Sequence, residues 1–124
     1  MIVSDSIPFQ IGLRSTLRAT GLFRELISLT DAEDALLTLA DELVDIVFVH
    51  ATPEGDIPLL DRAVGSDVAR SLEGRVVVLC ETPLPDAEAT ALKARAEVRD
   101  IVGTPLAASV IERLVEDLPP RHGR

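Results

Sequence analysis

Asp45-Ile46-Val47-Phe48-Val49-His50 is the stretch whose reading decides the fold. Four consecutive apolar residues run between an acid and an imidazole. The run shows no polar alternation, so a strand built from it must be covered on both faces. A second stretch of the same kind, Arg75-Val76-Val77-Val78-Leu79-Cys80, comes later in the chain. Strands buried on both faces belong to parallel sheets, because the crossover helices that join them roof both sides.

The flanking segments supply those helices. Met1-Ile2-Val3 reads as a short apolar strand ending at Ser4-Asp5. Phe9, Leu13 and Leu17 recur every fourth position, which predicts a helix from about Phe9 to Thr20, closed by Gly21. Leu22 to Leu29 is a second strand candidate, interrupted by Arg24 and Glu25 as suits an edge. Thr30-Asp31-Ala32-Glu33 has the spacing of a capping box, with the Thr30 hydroxyl at the N-cap. The helix behind it carries Ala32, Leu36, Leu39, Ala40 and Leu43 on one face.

Beyond His50, the segment from Ala51 to Pro58 holds two prolines and a glycine and predicts a loop. Leu59 to Leu72 reads as helix, divided at Gly65-Ser66-Asp67. Thr82-Pro83-Leu84-Pro85 is a rigid loop before an Ala-rich helix from Asp86 to Val98. Ile101-Val102-Gly103 predicts a short last strand. Thr104 at N-cap and Pro105 at N1 predict a final helix with the stripe Leu106, Val110, Leu114 and Leu118. Ile111 and Val115 widen that stripe beyond one sheet contact, which points to a dimer surface built partly from this helix. The order is β-α repeated five times. Short loops and right-handed crossovers make a doubly wound parallel sheet its natural form.

A chain of 124 residues holds one domain, assigned to residues 1–118, with 119–124 as linker or tail. Apolar residues make up 47% of the chain and aromatics only 2%, so the core must be aliphatic. The net charge of −9 argues against direct contact with nucleic acid, which normally needs a basic face. The stretch Arg121-His122-Gly123-Arg124 is too short to reverse that. Cys80 is the single cysteine and excludes an internal disulfide. No long apolar run predicts a membrane span, and no leading basic cluster predicts a signal peptide, so a cytoplasmic location is expected.

In a doubly wound sheet, ligands bind outside the carboxyl ends of the strands. Here those ends are Ser4-Asp5, His50, Cys80 and Gly103-Thr104. The pattern around them resembles a response-regulator receiver domain of the NarL/LuxR type. Ser4-Asp5-Ser6-Ile7-Pro8-Phe9-Gln10-Ile11-Gly12-Leu13-Arg14 aligns without a gap to that family's D-D-H-P-L-F-R-E-G-L-R segment, matching at Asp5, Phe9, Gly12, Leu13 and Arg14. Asp45 to His50 is similar to D-L-V-L-L-D, and Asp100-Ile101-Val102-Gly103-Thr104-Pro105 to D-Y-L-V-K-P. The resemblance implies a flavodoxin/CheY-like (βα)5 sheet with strand order 2-1-3-4-5. It also implies transcription control through a helix-turn-helix effector.

Departures from the family pattern concentrate at the site. His50 stands where the resemblance places the phosphoacceptor aspartate, and Ser4 replaces one of two Mg²⁺-holding acids beside Asp5. Cys80 replaces the hydroxyl residue of the fourth strand and Thr104 the lysine of the fifth. Ile101 takes the switch aromatic's position, and the loop through Pro53 and Gly55 is one residue short. One carboxylate holds Mg²⁺ weakly. Without metal or lysine, nothing neutralises an incoming phosphoryl group.

The chemistry-bearing residues also have plainer readings. His50 is expected to be a polar strand-end residue bonded to Asp5 or to backbone, in preference to a pH sensor. Cys80, with Glu81 beside it and no adjacent base, is expected to be a small strand-end hydrophobe in preference to a redox thiolate. Asp5 and Asp56 read as solvated or capping acids in preference to a residual cation site. Asp100 is expected to pair with Arg99 or a neighbouring helix. Ser4-Asp5-Ser6 is unsuited to flavin phosphate, since Pro8 lacks an N–H and the chain has no Trp or Tyr to stack on a flavin.

The expectation is therefore a phosphorylation-independent, receiver-like regulatory module and not an enzyme, with no cofactor and no metal. It acts as a homodimer that contacts a DNA-binding effector, in cis or in trans. The alternative is a sensor that binds a small metabolite in the degenerate pocket of Ser4, Asp5, His50, Cys80 and Thr104.

Overall fold

The computed structural model describes residues 1–52 and 56–118. Among the described residues five strands and six helices follow in the order β1 (Ile2–Val3), α1 (Ile7–Ala19), β2 (Ser28–Leu29), α2 (Ala32–Asp41), β3 (Val47–His50), α3 (Pro58–Ala63), α4 (Asp67–Ser71), β4 (Val76–Cys80), α5 (Asp86–Lys93), β5 (Val98–Gly103) and α6 (Ala108–Glu116). All strand pairs are parallel, in the order β2-β1-β3-β4-β5. This is a flavodoxin/CheY-like α/β sheet, as expected.

Strand alternation divides the core in two, because successive side chains point to opposite faces. Ile2, Phe48, Val77 and Leu79 face α1 and α6, where they meet Leu13, Leu17, Ile111 and Leu114. Val3, Val47, Val49, Val76, Val78 and Cys80 face the other way, toward Ala35 and Leu39 of α2, Leu59 and Leu60 of α3, and Leu92 of α5. Phe48, Leu17, Leu79 and Ile111 are fully buried. Each such side chain contributes about 1.5–3 kcal/mol by leaving water. With so few aromatics, the core depends on close aliphatic packing along β3 and β4.

Several boundaries differ from the sequence expectation. β2 shrinks from Leu22–Leu29 to two residues; Gly21 turns the chain at φ +70, and Leu22 to Ile27 run irregularly, with Leu22 exposed. Asp31, not Thr30, caps α2, its carboxylate accepting from the Asp34 N–H at 2.8 Å. A carboxylate one residue nearer outcompetes the hydroxyl at the helix's positive end, and Glu33 pairs instead with Arg62. On α2, Ala35 is buried while Ala40 is exposed, and Leu43 lies beyond the helix and is 70% exposed.

β3 begins at Val47, two residues later than expected. The interruption at Gly65 is present, with φ +77, and separates α3 from α4. α5 ends at Lys93, and β5 begins at Val98, three residues earlier than expected. Arg99 and Asp100 are half-buried strand residues at this sheet edge, and their charge hid the strand. Thr104 and Pro105 precede α6 without starting it. The Thr104–Pro105 peptide is cis, and Ala107 occupies the N-cap. The wide stripe on α6 is used by the core: Ile111 and Leu114 are buried, and Leu106, Val110, Val115 and Leu118 pack partly against them. The expected loop positions Pro53 and Gly55, and the expected tail 119–124, lie outside the described residues.

Candidate functional site

The carboxyl edge of the sheet gathers the residues singled out from the sequence, but not into one pocket. β1 and β3 pair with Ile2 opposite Phe48 and Val3 opposite Val49. The next rung places Ser4 beside His50 on the α1 face. There the Ser4 hydroxyl and His50 Nδ1 share a hydrogen bond of 3.1 Å.

His50 is engaged on three sides. Its Nε2 faces the Glu81 carboxylate at 3.4 Å. A carboxylate can only accept, so Nε2 carries a proton and, in the neutral ring, Nδ1 accepts from Ser4. The Ser4 oxygen in turn accepts from the Ser6 N–H at 3.1 Å. The Phe9 ring covers one face of the imidazole, with centroids 3.9 Å apart and planes 8° from parallel. Ser6 caps α1, accepting from the Phe9 N–H, and Pro8 presets the first turn. The cap thus positions the ring that stacks on His50.

Gln10 completes the arrangement. It is buried, and its amide nitrogen donates to the Ser4 carbonyl at 2.6 Å and to the Leu29 carbonyl at 2.7 Å. One side chain therefore ties the ends of β1 and β2 to α1. Ser4 is itself buried, so its hydroxyl is closed to an incoming electrophile.

The other expected members stand apart. Asp5 is exposed, and the bond expected from His50 to Asp5 or to backbone goes instead to Ser4, the residue beside it on the same rung. Cys80 points into the opposite core with Val76 and Val78. Burial raises its thiol above the ordinary value, which fits a small hydrophobe at a strand end. The Thr104 N–H donates to the Cys80 carbonyl at 3.1 Å, extending the β4–β5 ladder. Ile101 packs partly into the Cys80 side of the core. Asp100 does not pair with Arg99: it accepts from the Ile101 N–H, while Arg99 donates to the Leu114 carbonyl and lies 3.9 Å from Asp117. Asp56 donates its N–H to the Thr52 hydroxyl.

Phe9, Gln10 and Glu81 were not singled out from the sequence as site residues. The stack and the Gln10 bonds are tertiary contacts with no local pattern. The only available signal was the placement of Glu81 one residue past a strand end. Among the described residues, no three His, Cys, Asp or Glu side chains gather as metal ligands. No helix among them is long and apolar enough to cross a membrane. No known family model, curated protein or solved structure matches the chain.

Proposed function

We propose that the chain is a receiver-like regulatory module that signals without phosphorylation. The observation that carries this reading is the engagement of His50. At the strand end where a receiver would present an aspartate, an imidazole has one nitrogen bonded to Ser4, the other facing Glu81, and a face covered by Phe9. The opposing residue is a buried hydroxyl and not a second acid. Such a site lacks the paired carboxylates a hard divalent cation needs. A metabolite sensor would need these polar groups free for a ligand, and their mutual bonding favours the interaction module.

In this reading the module acts as a homodimer, and its effector is a DNA-binding helix-turn-helix domain in cis or in trans. The outcome is control of transcription in the cytoplasm. Thermal unfolding with and without Mg²⁺ plus beryllofluoride tests the central point. The expected result is an unchanged midpoint. A raised midpoint would mean that the native state binds the phosphoryl mimic, and the proposal would fall.

A further inference from the structure

At the opposite edge, where the strands begin, the described residues enclose an open groove of about 920 Å³. It runs between the irregular segment leading into β2 and the turn between α2 and β3. Met1, Ile27, Ile46 and Leu118 contribute apolar surface to it. Leu22 and Leu43 also line it, yet they are 45% and 70% exposed. Large side chains this open, gathered around one depression, mark an interaction surface more often than scattered single ones do.

The charge of the groove is acidic at its rim. Glu25 and Glu42 are exposed there, and neither makes an ion pair within the described residues. Arg24 is also exposed, but Arg75 is buried and donates to the Asp45 carbonyl. An apolar floor under an acidic rim complements a helix with an apolar stripe flanked by lysine or arginine. Such a helix would seat residues at i, i+3 and i+4 against Leu22 and Leu43, and its cations would meet Glu25 and Glu42. A second copy of this chain fits this groove poorly, because a chain with 21 Asp and Glu against 12 Lys and Arg brings no surplus of cations to Glu25 and Glu42; the homodimer proposed above would form at another face.

We propose that this groove docks a cationic amphipathic helix of a partner protein. The inference goes beyond the function proposed above. It concerns the edge away from His50, and its test does not depend on the response to beryllofluoride.

The probe is a synthetic helical peptide of leucine and lysine, compared with a leucine and glutamate peptide of the same apolar pattern. Amide chemical shifts of the 124-residue chain are followed during titration with each. The expected result is saturable binding of the lysine peptide alone, with shifts concentrated in residues 22–27 and 42–46. Glu25→Lys with Glu42→Lys should weaken it about tenfold or more, a loss on the order of 1.4 kcal/mol. Asp86→Lys with Glu88→Lys makes the same change in net charge at the far edge and should leave affinity within about twofold. Leu43→Ser should also weaken binding. Unfolding midpoints of all variants check that they fold. The proposal is overturned by shifts spread over the whole acidic surface, or by equal weakening from both charge reversals. It is equally overturned by groove shifts that follow the protein's own concentration without peptide, which would make the occupant a second copy.

Discussion

The Ser4 hydroxyl and the His50 imidazole share a 3.1 Å hydrogen bond because the register of β1 and β3 sets them side by side on one rung, on the same face of the sheet. The bond joins residues 46 positions apart in the chain. It continues from the Ser6 N–H on one side toward the Glu81 carboxylate on the other, so the row links the ends of three strands.

His50→Ala removes the bond to Ser4 and the stack with Phe9 together. The expected cost is about 1–3 kcal/mol, since a buried hydroxyl loses its partner. Urea unfolding measures it. His50→Asn, which keeps a polar group near Ser4, should recover part of the loss. An alanine variant as stable as the parent would show that the row contributes nothing.

The Phe9–His50 stack has its own signature. A double-mutant cycle with Phe9→Leu and His50→Ala should give a coupling of about 0.5–1.5 kcal/mol, the usual range for paired rings. Additive losses would mean that the rings merely lie near each other.

Gln10→Leu keeps the volume of the side chain but strips two carbonyl oxygens of a donor. We expect a loss of about 1–3 kcal/mol. The loss should come with faster amide exchange in β2, because Gln10 is the side chain that holds the Leu29 carbonyl to α1. Unchanged exchange at Leu29 would contradict that role.

Cys80 should resist alkylation in the folded chain. Its thiol is buried and its pKa is raised by that burial, so little thiolate is present at pH 8. Labelling by iodoacetamide at that pH should run at least about tenfold slower than in denaturant. Rapid labelling of the native chain would return Cys80 to the list of reactive thiols.

The amino group of Met1 is buried, donates to the Ile46 carbonyl at 3.0 Å, and has its pKa lowered from the ordinary 8.0 to about 6. Desolvation lowers it, and Asp45 partly offsets the shift. Below pH 6 the amine is protonated in both states, and the folded state bears the cost of a buried cation. Between pH 6 and 8 the unfolded chain holds more protons, so stability should rise with pH across this window. The gain is on the order of 2–3 kcal/mol and levels off above pH 8. Unfolding free energies measured from pH 5 to 9 check the sign.

The sheet was legible wherever burial on both faces made the strand apolar throughout, as in Val47 to Val49 and Val76 to Leu79. The α1 helix was legible from Leu13 and Leu17, and the α3–α4 break from Gly65. Legibility failed at the two sheet borders for opposite reasons. Leu22 to Leu26 carries apolar residues but lies outside the strand, the pairing with β1 beginning only where the Ile27 carbonyl accepts from the Ile2 N–H, whereas Arg99 and Asp100 are polar yet sit in β5. At the site, strand ends located Ser4, His50, Cys80 and Thr104 correctly along the edge. Whether two such ends share a pocket depends on side-chain parity, and that follows from register. Cys80 and His50 differ in face because His50 pairs with Leu79 and not with Cys80. Phe9 and Gln10 were not legible as site residues because their partners come from other elements.

The two-residue β2 makes the sheet's borders unequal, since β5 on the other side runs for six residues. A sheet built this way has a direction of opening. Thermal fluctuation should release the β2 border first and leave β3 and β4 closed until the whole domain melts. The segment before β2 forms one wall of the acidic groove, so the border that opens first is also the one an occupant would meet.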